Sequence, residues 1–133
     1  MTDENKRRNI ASEVSRAQES LAAARALLGQ GLANDAVSRA YYAAYHVARA
    51  LLLTLGLEAK THAGLARLVK LHFEVRIGQG TGARFARLQT LRHAADYDTE
   101  TRFSTQEAGE EVTEAERFVT EGVALLLTDG WVS

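Results

Sequence analysis

The 133-residue chain contains no cysteine and no proline. The first absence removes a disulfide framework, a thiolate metal site and a cysteine nucleophile, and it suits a reducing cytosol. The second lets helices run without interruption, as an all-helical bundle allows. No apolar run approaches the ~18 residues of a membrane span. The opening segment MTDENKRRNI lacks the apolar centre of a signal peptide, so the expectation is a soluble, cytoplasmic protein that engages no membrane. The four histidines show no HxxxH spacing, and no metal or other cofactor is expected. Neither GxSxG nor SxxK is present to supply a serine nucleophile. Ile77 to Gly82 is rich in glycine, yet it follows a helical pattern rather than a strand and lacks both the GxGxxG and the Walker spacing. It reads as an interhelical loop, not a phosphate cradle.

What the chain does contain is helical periodicity. Its centre is Asn34 to Gly56, NDAVSRAYYAAYHVARALLLTLG, free of internal glycine and rich in Ala, Leu and Arg, which lose little side-chain entropy in a helix. Two stripes run along it. One is apolar, through Val37, Tyr41, Ala44, Ala48, Leu51 and Leu55; the other is mixed, through Arg39, Tyr42, His46, Arg49 and Leu53. A solvated face would carry Glu, Lys and Gln, so the mixed stripe is expected to face a partner or a site.

Around this helix the pattern predicts a first helix from about Asn9 to Leu28, with its seam on Ile10, Val14, Ala17, Leu21, Ala24 and Leu28. Asn34 is read as the N-cap of the central helix and Thr61 as the cap of a third that runs to about Arg76, with Leu65, Leu68, Val69, His72 and Phe73 on its inner side. A fourth begins near Ala83. Ser104 and Glu107 then form a capping box that opens the last helix. The result is an all-α, up-and-down bundle of about five helices, a single domain over residues 1–133. A chain this small with two non-solvent stripes is expected to form a homodimer.

Net charge is −1, which gives no global signal for nucleic acid. Its distribution is uneven: Lys60 to Arg92 is basic and Asp96 to Glu121 acidic. Either a basic patch follows a phosphate backbone, or helices of opposite charge lie side by side in one bundle.

The segment Ser38-Arg39-Ala40-Tyr41-Tyr42-Ala43-Ala44-Tyr45-His46, with Ala48-Arg49-Ala50-Leu51-Leu52 after it, resembles the second helix of prokaryotic HEPN domains. Lys60-Thr61-His62-Ala63-Gly64-Leu65 and Leu91-Arg92 followed by Ala95-Asp96-Tyr97 extend the resemblance in the right order. It implies a HEPN-like bundle. It further implies a toxin-type partner of a minimal nucleotidyltransferase, with RNA cleavage by an Arg that holds phosphate and a His that moves protons, at a site completed across a dimer. A guanidinium offers a fixed fork of donors to phosphate and an imidazole titrates near neutrality.

The alignment places Arg92 at the family Arg and Tyr97 where the shorter motif has its His. A looser match pairs Arg87 with His93; on a continuous helix these point about 120° apart. A local reading of Arg92 and Asp96 is an ion pair one turn apart. The functional reading is a phosphate- or nucleotide-binding cleft of Arg92, Asp96 and Tyr97, joined by Arg39, Tyr42, His46, Arg49 and His62. With no His at position 97, protons must come from His93, His46 or His62. Beside the ribonuclease stand a non-catalytic module that binds a nucleotide or docks a partner protein, and a bare dimeric scaffold.

Overall fold

The computed structural model describes residues 2–133. Five helices follow in order: α1 (Asp3–Gly29), α2 (Ala33–Thr54), α3 (His62–Ile77), α4 (Thr81–Tyr97) and α5 (Thr105–Thr128). Among the described residues there is no strand.

α1 begins before its apolar seam does. Thr2 accepts from the Asn5 amide at 3.2 Å, and Asp3 and Glu4 sit at the positive end of the helix dipole, so the polar opening is helical from Asp3 rather than from Asn9. Gly31, at φ 76°, reverses the chain while the Leu32 amide reaches back to the Leu27 carbonyl at 2.9 Å. α1 and α2 therefore lie antiparallel with only a short turn between them.

Asn34 does not cap its own helix. It lies inside α2, and its side chain spans to the α4–α5 loop instead, donating to the Thr101 carbonyl at 2.9 Å and accepting from the Phe103 amide at 3.0 Å. Thr61 does cap α3, accepting from Gly64 N at 2.9 Å. The Ser104–Glu107 box closes in both directions, at 2.9 and 3.0 Å. The first amides of α4 are served from outside: Glu74 of α3 accepts from Gly82 N at 2.8 Å, which brings the two helices close at this end and lets α4 start at Thr81.

α2 is the axis of the bundle. It packs on each of the other helices, and Ala40, Tyr41, Ala43, Ala44, Val47, Ala48 and Ala50 are wholly inaccessible to solvent. Small residues permit that many neighbours. Against α5, the missing side chain of Gly122 makes room for Val47. Of the expected inner positions on α3, His72 is exposed while Leu65, Val69 and Phe73 are buried.

Part of the uneven charge is met by ion pairs between neighbouring helices. Arg84 lies 3.8 Å from Glu114, Arg87 is 2.8 Å from Glu111, and Arg25 is 2.8 Å from Glu116. Much of the basic side of α4 meets the acidic α5.

Candidate functional site

Three tyrosines rise from one side of α2 because positions 41, 42 and 45 fall within about a turn of one another. Tyr41 is fully buried, and its hydroxyl lies 2.5 Å from Nδ1 of His62 at the first turn of α3. A phenol sealed from water would leave its own proton unsatisfied if it only accepted, so Tyr41 donates and the neutral imidazole carries its proton on Nε2. Burial pushes the Tyr41 phenol far above its ordinary value despite the lowering effect of Arg92 nearby, which keeps it a donor at any physiological pH.

Arg92 enters from α4. Only 6 % exposed, it places its guanidinium 5.1 Å from the centre of the Tyr41 ring and 5.7 Å from that of Tyr42, the arrangement in which an aromatic face attracts a cation. Asp96, one turn further, stands 3.7 Å from it, and the Arg92 Nε–H has no hydrogen-bond acceptor among the described residues. Burial lowers the His62 pKa from its ordinary value, and the Arg92 charge lowers it further. His62 is thus neutral at pH 7, tied to Arg92 through one shared tyrosine.

A second cluster adjoins the first. Glu13 of α1 reaches Arg49 Nε at 3.2 Å and His46 Nδ1 at 3.5 Å, and Arg49 donates to the Tyr45 hydroxyl at 3.0 Å. The Tyr45 ring also lies 5.3 Å from that of His62, so Tyr45 joins the clusters. Between α1, the end of α2 and the α2–α3 loop opens a cavity of about 370 Å³. Glu13, Tyr45, Arg49 and His62 all stand on its wall.

A family model for the HEPN domain matches residues 12–126, nearly all of this helical array. The chain belongs to the HEPN domain family. The protein "Putative toxin MJ0605" of Methanocaldococcus jannaschii is 41 % identical over 115 residues, 85 % of either chain. A UPF0332 protein of Archaeoglobus fulgidus is 33 % identical over 90 residues, 67 % of this chain and 72 % of the relative. A UPF0332 protein of Pyrococcus horikoshii is 45 % identical over 56 residues, 42 % of this chain and 39 % of the relative.

Within this HEPN bundle the residues singled out by sequence separate into groups. Arg92, Tyr42 and His62 converge on Tyr41, Asp96 stands beside Arg92, and Arg39 lies over the Tyr42 ring at 4.7 Å. His46 and Arg49 stand beside them through Glu13 and Tyr45. Tyr97 does not share the Arg92 cleft: it is 68 % exposed, and its ring leans on His93 at 4.9 Å. The physical reason is that α4 continues to Tyr97, so an offset of five residues turns that side chain about 140° from Arg92. The same continuity keeps Arg87 and His93 on different faces, and Arg87 is engaged with the buried Glu111 of α5. Glu111 has its carboxyl raised by burial, against the pull of Arg87.

Sequence reasoning missed the Tyr41 hydroxyl, Tyr45 and Glu13. Tyr41 was legible only as part of an apolar stripe, and the ring carries that pattern whatever its hydroxyl does. Glu13 sits next to Val14 of the first-helix seam, a position where a carboxylate is half-buried and needs cations; Arg49 and His46 on the facing helix were the available signal. Among the described residues no group of three or more His, Asp or Glu could hold a metal, and no helix is long and apolar enough to cross a membrane.

Proposed function

We propose that this HEPN chain is a toxin-type protein, working as a homodimer beside a minimal nucleotidyltransferase, and that it cleaves RNA without a metal at Arg92 and His62. The observation that supports this reading most is the Tyr41 bridge, which sets a histidine from α3 next to a buried arginine from α4. The name of the Methanocaldococcus jannaschii relative supports the toxin role. In the reaction the ribose 2′-oxygen attacks the adjacent phosphorus and the 5′-oxygen leaves, giving a 2′,3′-cyclic phosphate and a 5′-hydroxyl. Arg92 balances the phosphate charge. The imidazolium form of His62, in which the Tyr41 oxygen turns from donor to acceptor toward Nδ1–H, gives its Nε2 proton to the leaving oxygen while the 2′-hydroxyl proton passes to water; proton exchange with water then returns the ring to its resting form, with Nε2 protonated and Nδ1 accepting from Tyr41. Such proton transfer contributes about 10²- to 10⁴-fold.

Because His62 holds its proton less tightly than an ordinary imidazole, the imidazolium is the minor form at neutrality. Cleavage is therefore weak at pH 7 and rises as pH falls toward the His62 pKa. The test is a metal-free assay on a fluorescent single-stranded RNA with chelator present. Arg92→Ala and His62→Ala should each remove cleavage, whereas His93→Ala and Tyr97→Phe should leave it unchanged. Cleavage that survives both Arg92→Ala and His62→Ala would refute the site.

A second reading, a non-catalytic module that binds a nucleotide or docks the transferase, is favoured by one observation: Arg92 is only 6 % exposed and already has tyrosine faces and Asp96 around it. On that reading wild type shows no cleavage at any pH, while co-expression with a neighbouring nucleotidyltransferase yields a stable complex.

A further inference from the structure

We infer that Glu13, Arg49 and Tyr45 are positioning residues for His62, a chain of contacts that runs from α1 through α2 and sets the plane of the imidazole on α3. This role rests on the reading of His62 as the proton donor, and it names the groups that aim it.

One hydrogen bond does not aim a ring. The Tyr41 hydroxyl holds Nδ1 at 2.5 Å, but the imidazole can still pivot about that contact, and His62 is the first residue of α3, where no preceding turn braces it. A second surface is needed, and Tyr45 supplies it. Its ring centre lies 5.3 Å from that of His62 at an interplanar angle of 37°, while the Tyr41 ring stands at 5.5 Å and 49°. Tyr41 and Tyr45 are four residues apart on α2, so the imidazole rests between two phenols of one helix face.

Tyr45 is only partly buried, so its own orientation has to be set from outside. Arg49, one turn further along α2, donates from Nη1 to the Tyr45 hydroxyl at 3.0 Å. Arg49 is exposed, and a long side chain in water samples many rotamers. Glu13 of α1 stops that, with Oε2 at 3.2 Å from Arg49 Nε; a half-buried carboxylate holds its cation because it has little water to take the charge instead. Each group is thus fixed by the next, in the way that a supporting shell locks the rotamer of a working residue. The His62 proton is loosened by burial and by Arg92. What Glu13, Arg49 and Tyr45 contribute is orientation.

The experiment pairs long-range proton–nitrogen spectra of His62 with steady-state cleavage of the fluorescent single-stranded RNA by the full chain. Tyr45→Phe keeps the ring and loses only the hydroxyl, and Arg49→Met changes an exposed residue, so both should fold with wild-type circular dichroism. In each, kcat should fall about tenfold with KM within about twofold, a part of the ~10²- to 10⁴-fold carried by proton transfer, because Arg92 keeps its contact with phosphate. The double variant of Tyr45→Phe with Arg49→Met should lose no more than either alone, as residues that act as one unit do. Arg49→Lys, which keeps a donor for the Tyr45 hydroxyl and a charge for Glu13, should recover most of the rate. Glu13→Gln should lose less than Arg49→Met; a wild-type rate and spectrum there would remove Glu13 from the chain of contacts. Where wild type shows Nδ1 as the unprotonated nitrogen, Tyr45→Phe and Arg49→Met should show a mixture of His62 tautomers even though the Tyr41 hydroxyl is present. A wild-type tautomer in both variants, losses that multiply in the double variant, or a raised KM at unchanged kcat would each overturn the positioning role. If wild type cleaves no RNA, the spectra still decide: a shifted tautomer upholds the positioning and removes only the cleavage reading.

Discussion

Tyr41 shows how much one hydroxyl can determine. Its ring belongs to the core as any phenylalanine would, while its oxygen fixes which nitrogen of His62 carries the proton. Tyr41→Phe should fold, lose about 1 kcal/mol for the missing hydrogen bond, and release the His62 tautomer. In long-range proton–nitrogen spectra wild type should show Nδ1 as the unprotonated nitrogen, and the variant a mixture of both forms. Identical spectra would remove the Tyr41 role. The pH dependence of stability carries the same signature. Since the folded chain binds the His62 proton less readily than the unfolded chain, His62 contributes its full stability above the ordinary histidine range and loses it as pH falls through its lowered value. Between about pH 7 and about pH 5 the melting temperature should therefore fall less steeply in His62→Asn than in wild type. Asparagine keeps an acceptor for Tyr41 and cannot titrate.

Elements meet most tightly where a side chain is missing. A Cβ added at Gly122 would clash with Val47 Cγ1, on a helix that packs along the whole core. Gly122→Ala should cost about 1–3 kcal/mol through this overpacking, seen as a lower urea midpoint, and Val47→Ala in the same chain should restore part of the loss. Gly109→Ala is the control: its nearest neighbour is Leu28 Cδ2 at 3.8 Å, so the better helix former should stabilise slightly. The helix ends also show what a sequence can disclose. The Thr61 cap and the Ser104–Glu107 box were legible because donor and acceptor lie three residues apart. Asn34 spanning to Thr101 and Phe103, and Glu74 serving Gly82, were not, since each joins segments that only the finished bundle brings together. The site divides the same way. Arg92 with Asp96 was readable from one helix, whereas Tyr41 with His62, and Glu13 with Arg49, each need two.

At the scale of the molecule, surplus apolar surface remains on α3, where Val75 is 97 % and Leu71 72 % exposed, one turn apart on the helix surface. The homodimer proposed above should bury at least about 1,000 Å² in total. Sedimentation should give a dimer at micromolar concentration, and Val75→Asp should shift it toward monomer; a wild-type monomer would remove the assembly. The last consequence belongs to α2, which touches every other helix. Its backbone can meet solvent only when several interfaces part together, so no local opening serves it. Deuterium should enter the amides from Ala40 to Ala50 last of all, at a rate set by global unfolding, while α3, with its exposed outer face, exchanges through smaller fluctuations. Any ligand that slows uptake at the start of α3 without slowing it in α2 would be acting on the loop and His62 alone, and the isotope pattern would report where it binds.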